Sequence, residues 1–102
     1  MQELEFIITI GNRNDGKAIS STLEKAGGFC FNSFFGKGIV RASEILQALG
    51  LVTNQSKIVI TCIIEKEKAC TALKLLETVN HFTKPNTGIA FAIPLNKMGG
   101  NA

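Results

Sequence analysis

The sequence predicts an α+β fold in which two helices cover one face of a four-stranded antiparallel sheet. Three observations predict it. Four runs are rich in β-branched or aromatic residues, at positions 4–10, 29–35, 57–64 and 87–95. Two stretches between them carry apolar residues at helical spacing, the first after residue 16 and the second over 67–80. Glycine-containing turns separate the runs, giving the order strand, helix, strand, loop, strand, helix, strand. That order is the split βαβ, or ferredoxin-like, plan βαββαβ.

In the first strand Leu4, Phe6, Ile8 and Ile10 alternate with Glu5, Ile7 and Thr9, the period of two that a pleated strand requires. Asn12-Arg13-Asn14-Asp15-Gly16 is a turn-and-cap cluster. Ile19, Leu23 and Ala26 then recur on a helix that Gly27-Gly28 ends. The second strand, with Phe29, Phe31, Phe34 and Phe35, closes on Gly36-Lys37-Gly38, a tight loop that exposes its backbone. Its phenylalanines lie on both sides of one strand, so one pair is expected in the core and the other against a neighbouring subunit or ligand. Ala42, Ile45, Leu46 and Leu49, followed by Gly50, predict an extra short helix in the loop between strands two and three. Ile58, Ile60, Cys62 and Ile64 alternate with Val59, Thr61 and Ile63 in the third strand. Ala69, Ala72, Leu73, Leu76 and Val79 form the apolar stripe of the second helix. In the last strand Ile89, Phe91, Ile93 and Leu95 share a face opposite Ala90, Ala92 and Pro94.

With 102 residues the chain reads as one domain, 1–102. Its net charge of +3 is scattered, without the charge block of a nucleic-acid tail. No apolar run has the length of a membrane span, and Met1-Gln2-Glu3-Leu4-Glu5 lacks the basic region of a signal peptide. The expected localisation is cytoplasmic. The 3 cysteines form no CxxC pair, and Cys30, Cys62 and Cys70 are expected to be buried small hydrophobes. His81, the 1 histidine, follows the second helix and is expected to be structural or solvated.

The sheet has a second consequence. Apolar residues make up 45 % of the chain, and Ile7, Val59, Ile63, Ala90 and Ala92 are expected on the face the helices leave open. That patch is too apolar for a monomer in water, and the expectation is a closed homo-oligomer with sheets packed inward.

Taken in order, Phe35-Gly36-Lys37-Gly38 after the second strand, the loop Thr83 to Gly88, and Gly88-Ile89-Ala90-Phe91-Ala92-Ile93-Pro94 with Asn96-Lys97-Met98 resemble the PII-type nitrogen-regulatory signalling family. The likeness is strongest to its short-loop PII-like members and spans essentially the whole chain. It implies a homotrimer of ferredoxin-like subunits with small ligands in the clefts between them. It also implies a regulated enzyme, transporter or channel engaged through the loop 36–56, in nitrogen or carbon metabolism. No catalytic residues, metal or required cofactor are implied. An adenine nucleotide or a small anion is the implied effector, with Phe35, Gly36, Lys37, Gly38, Arg41, Lys84, Thr87 and Gly88 as the ligand-binding residues. Backbone amides beside glycines, with one lysine, suit an anion.

The chain also departs from that family. Ile89 stands where typical members have a phosphate-binding lysine, and Met98-Gly99-Gly100-Asn101 lacks their two arginines. Gln55 aligns where a lysine contacting 2-oxoglutarate would stand, and with no tyrosine the loop cannot be modified on one. Lys37, Arg41 and Lys84 remain, enough for a monophosphate, carboxylate or bicarbonate and few for a triphosphate. Bland readings stand beside these: Lys37 and Lys84 as solvated loop lysines, and Arg41 paired with Glu44 at helical spacing.

Other classes share the fold. An RNA-recognition module requires stacked aromatics on its third strand, and residues 57–64 contain none. An acylphosphatase-like enzyme would use Arg13 in the first turn. The alternatives to the sensor are a constitutive interaction trimer without ligand and a metal-tolerance-type ferredoxin-like trimer.

Overall fold

The computed structural model describes residues 3–35, 57–84 and 87–96. Strand β1 (Leu4–Asn12) leads through a 3-10 turn (Arg13–Asp15) into helix α1 (Gly16–Lys25), then strand β2 (Phe29–Phe35). Strand β3 (Lys57–Glu65) runs directly into helix α2 (Lys66–Val79), and strand β4 (Gly88–Pro94) closes the fold. The strands form one antiparallel sheet in the order β2-β3-β1-β4, which is the ferredoxin-like arrangement. The short helix expected between the second and third strands lies outside the described residues. No helix among the described residues is long and apolar enough to cross a membrane.

Strand register decides which residues meet the helices. β1 pairs Ile7 with Cys62 of β3 and with Ala92 of β4, so these three share a face. Ile7, Ile58, Ile60, Cys62 and Ile64 join Ile19, Leu23, Ala69, Ala72 and Leu76 in one buried cluster, with Ala90 and Ala92 packed against it. Ile7, Ala90 and Ala92 therefore lie beneath the helices and not on the open face expected of them. Val59 and Ile63 do lie on the open face, as expected, through their pairing with Ile10 and Phe6.

The reason is one of approach distance. The helix side of β1 and β4 carries Gly11, Gly88, Ala90 and Ala92. A Cβ at Gly11 would stand 2.6 Å from Ile19 Cδ1, so the missing side chain is what lets α1 seat Ile19 on the sheet. Apart from Ile7, the large apolar side chains of the same strands, such as Phe6, Ile8, Ile10, Phe91 and Ile93, point the other way. Ile10 and Val59 form a second buried cluster there with Ile8 and Phe34 against it, while Ile89 and Ile93 remain 47 % and 43 % exposed. The open face is thus more apolar than the sequence suggested.

β2 changes phase along its length. Its pairing with β3 shifts between Phe29 and Asn32, and Cys30 within that bulge takes a left-handed φ of 55°. Phe31 and Phe35 consequently face the helices, and Phe34 faces the opposite side. The bulge also turns Cys30 outward. Cys30 and Cys70 are exposed, contrary to the expectation, and Cys62 is buried. Cys70 falls on the outer side of α2, whose inner side carries Ala69, Ala72 and Leu76. Burial pushes the Cys62 thiol up to about 11, which leaves it a small hydrophobe at neutral pH.

One core position is chemically mismatched. Thr9 on the central strand is fully buried, and its Oγ1 has no hydrogen-bond partner among the described residues. A buried hydroxyl without a partner is destabilising by about 1–3 kcal/mol. Thr9→Val, nearly equal in shape, is expected to raise the urea midpoint with an unchanged slope, a gain of about 1 kcal/mol. A lower midpoint would show that the hydroxyl has a partner the fold depends on.

Candidate functional site

Antiparallel pairing brings the strand ends that flank the candidate residues to one end of the sheet. Asn12 at the end of β1 pairs with Lys57 at the start of β3. Phe35 at the end of β2 pairs with Ile58, and Gly11 pairs with Gly88 at the start of β4. The turn 13–15 and the residues that flank 36–56 and 85–86 therefore all lie at the same end. Of the residues the sequence nominated, Phe35, Lys84, Thr87 and Gly88 are described, and Phe35 and Gly88 are brought to this end. Gly36, Lys37, Gly38 and Arg41 lie outside the described residues, as does Gln55.

Phe35 is held from two sides. Its ring packs against the main core, and the Arg13 guanidinium lies over it, 4.3 Å from the ring centroid, a cation–π contact worth about 0.5–1 kcal/mol at an exposed site. On the opposite face of the sheet, which the register gives to Lys57 and Val59, Lys57 Nζ donates to Asn12 Oδ1 at 2.7 Å. Asn12 and Arg13 thus contact Phe35 and Lys57, the two residues that bracket 36–56. Arg13 entered the sequence reading only as a rival catalytic residue, and Lys57 only as the first residue of a strand. Counting residues back along an antiparallel β1–β3 pair would have placed Lys57 opposite Asn12.

The segment before β4 is shaped by Phe82. His81 reverses the chain after α2 in the left-handed region, at φ 59°, a conformation histidine tolerates better than most side chains. The Phe82 amide then reaches the Leu76 carbonyl at 3.2 Å, and the Thr22 hydroxyl of α1 donates to Asn80 Oδ1 at 2.8 Å. The Phe82 ring lies against Gly88. A Cβ there would stand 2.6 Å from Phe82 Cζ and 2.9 Å from the Ile10 carbonyl oxygen. Gly88 is therefore needed for this aromatic contact. Next to it opens a cavity of about 240 Å³ lined by residues that include Leu73, Leu76, Glu77, Phe82, Thr83 and Gly88. Lys84 is exposed, its amide donating to the His81 carbonyl at 2.9 Å.

Charge is distributed unevenly along the sheet. The ion pairs Glu3–Lys66 (3.0 Å) and Glu65–Lys68 (3.8 Å) lie at the opposite end. Hydrogen bonding to Glu3, then the charges of Glu3 and Glu5, push the Lys66 ammonium above its usual range. At the loop end Arg13, Lys57 and Lys84 make no ion pair with any described carboxylate. No three metal-ligating side chains come together among the described residues. What this end offers is cations without carboxylate partners among the described residues and, on the β4 side, a small cavity lined by apolar side chains, Thr83 and Glu77.

No protein-family model matches the sequence, and no curated protein matches it. Solved structures do match. CPII from Thiomonas intermedia K12, bound to ADP, AMP and acetate, aligns with a TM-score of 0.64 at 16 % identity, over 94 % of this chain and 91 % of that chain. A PII-like signalling protein from Thermus thermophilus aligns with a TM-score of 0.65 at 13 % identity, over 92 % and 87 %. The chain has the PII-like fold. The same PII-like fold also matches a Bacillus cereus protein related to NIF3, with a TM-score of 0.67 at 17 % identity, over 97 % of this chain but only 27 % of that one. One fold thus serves in different molecular settings, and activity has to be argued from the site.

Gly88→Ala is expected to destabilise the protein by about 1–3 kcal/mol through overpacking against Phe82 and the Ile10 carbonyl. Combined with Phe82→Leu it is expected to lose less than the sum of the two single changes. Thermal melts of the three variants check this, and strict additivity would separate Gly88 from Phe82.

Proposed function

We propose that the protein is a homotrimeric, non-enzymatic PII-like regulator that senses an adenine nucleotide or small anion at clefts between its subunits. The state of the cleft is passed to a partner enzyme or transporter through the loop 36–56. One observation carries this reading: the sheet brings the turn 13–15 and the strand ends that flank 36–56 and 85–86 to one end and leaves the cations there without carboxylate partners among the described residues. The apolar open face of the sheet supports association through inward-packed sheets, and the resemblance to the PII family supplies the number three.

The ligand surface in this reading comprises Phe35, Gly36, Lys37, Gly38, Arg41, Lys84, Thr87 and Gly88. Phe35 acts from within the core edge, fixing where the loop begins. Gly88 contributes backbone, since the Phe82 ring fills the place of its side chain. The solved neighbour CPII, itself a nitrogen regulatory PII-like protein, is bound to ADP, AMP and bicarbonate in another structure. Ligands of low charge suit this chain as well, because Ile89 leaves the start of β4 without a cation. Ordering of a loop by ligand is an established route from a small site to a partner.

Thermal-shift and calorimetric titrations with AMP, ADP, ATP, bicarbonate and 2-oxoglutarate, with and without magnesium, test the reading. A monophosphate or bicarbonate is expected to stabilise the protein, by about 2.7 kcal/mol at 100 times its dissociation constant, and Lys37→Gln to weaken it. Silence from every ligand would leave a constitutive interaction trimer.

A further inference from the structure

We propose that strand β4 and helix α2 form a docking groove for an extended, basic segment of another protein, which adds to β4 as a further strand and seats an apolar side chain against α2. β4 is the last strand of the sheet and pairs on one side only, with β1. The Leu95 amide donates to the Leu4 carbonyl at 3.0 Å, which makes Leu4 and Leu95 a hydrogen-bonded pair. By the alternation of an antiparallel ladder, Ile93, Phe91 and Ile89 also bond to β1. Gly88, Ala90 and Ala92 therefore turn their amides and carbonyls to the open edge. Pro94 belongs to the same set, so the amide it lacks is missing from the edge and not from the ladder. Neither a charged side chain nor a bulge interrupts Gly88–Pro94, and those are the features that keep an edge from pairing.

Side chains directly opposite one another in a sheet share a face. Residues of an added strand that pair with Gly88, Ala90 and Ala92 thus point to the helix side. Two cavities of about 240 Å³ open there, one at each end of β4. Leu73 and Glu77 line the first beside Gly88 and Ala90, and Lys66, Glu3 and Glu5 line the second beside Pro94. Lys66, Cys70, Leu73 and Glu77 follow one another at helical spacing along α2, so one face of the helix borders both cavities, with exposed Cys70 between them.

Charge selects the occupant. The lining residues include three carboxylates, Glu3, Glu5 and Glu77, against one cation, Lys66, and Lys66 is already paired with Glu3 at 3.0 Å. Glu5 and Glu77, one at each end of β4, make no ion pair among the described residues. An aliphatic side chain suits the first cavity, and lysine or arginine at alternate positions answers the two carboxylates. A second copy of this chain fits less well, because its own edge strand, Phe29–Phe35, carries no charge. The groove lies on the helix side, so an oligomer that buries the open face of the sheet leaves it accessible.

Hydrogen exchange of the ¹⁵N-labelled protein is the first test. The amides of Ile89, Phe91 and Ile93 are expected to be protected and those of Gly88, Ala90 and Ala92 to exchange fast. Protection of all six would mean that the edge is already paired and would overturn the proposal. A random library of displayed peptides as long as β4 is then panned on the protein. The enriched peptides are expected to combine β-branched residues with lysine or arginine. A synthetic peptide of that pattern is expected to protect the three edge amides and to slow alkylation of Cys70 but not of Cys30, which is exposed on β2. Glu77→Lys, folded by circular dichroism, is expected to bind it about tenfold more weakly, with Glu24→Lys on α1 as the control for net charge. Absence of an enriched pattern, enrichment of acidic peptides, edge amides left unprotected or an unchanged affinity of Glu77→Lys would each overturn the proposal.

Discussion

Glycine and alanine on one side of β1 and β4 let the two helices sit close to the sheet, and the remaining architecture follows from that contact. Ile19 occupies the space that a side chain at Gly11 would fill, and Phe82 the space at Gly88. With the small residues turned inward, most of the large ones of the same strands point outward, because successive side chains alternate; Ile7 alone among the large apolar residues of β1 lies inward. Phe6, Ile8, Ile10, Phe91 and Ile93 therefore share the outer face with Val59 and Ile63. Close packing of the helix layer thus creates the apolar surface that the oligomer is proposed to bury.

The same contact organises the loop end. Gly11 and Gly88 are paired in the sheet, and the Phe82 ring over them fixes the segment that carries Lys84 and Thr87. One strand further on, Asn12 and Arg13 hold Lys57 and Phe35. Both sets of contacts tie residues that flank the candidate segments to the end of β1, so the proposed ligand surface rests on the sheet itself. Carboxylates are paired at the far end, and cations without carboxylate partners among the described residues are left where the loops emerge. The proposed anion site relies on this distribution of charge and position more than on a deep cavity.

Much of this was legible in the residue pattern. The alternation in 4–10 and 57–64 and the apolar stripe from Ala69 to Leu76 placed the strands and helices correctly, because period two and period 3.6 are hard to confuse over such lengths. The inward face was misjudged. Size alone suggests that Ile10 or Phe91 belongs in the core, but when both faces of a strand are apolar, the helix takes the face that allows closer approach. Cys30 was misplaced because a bulge reverses the phase of β2, and nothing in Phe29-Cys30-Phe31 announces it. Gly36-Lys37-Gly38 and Gly88 stood out because glycine marks loops. Arg13 and Lys57 did not, since their neighbourhood exists only through strand register.

The outward apolar face is the claim on which the assembly depends, and the mass of the protein in solution tests it most directly. Sedimentation equilibrium of the wild type and of Ile8→Glu, a charge placed on the outer face of the central strand, is the measurement. The account predicts a wild-type mass near three times the 11.0 kDa of the chain and a folded, dissociated Ile8→Glu variant. A wild-type mass of one chain at micromolar concentration would contradict it, since the face would then be stable in water.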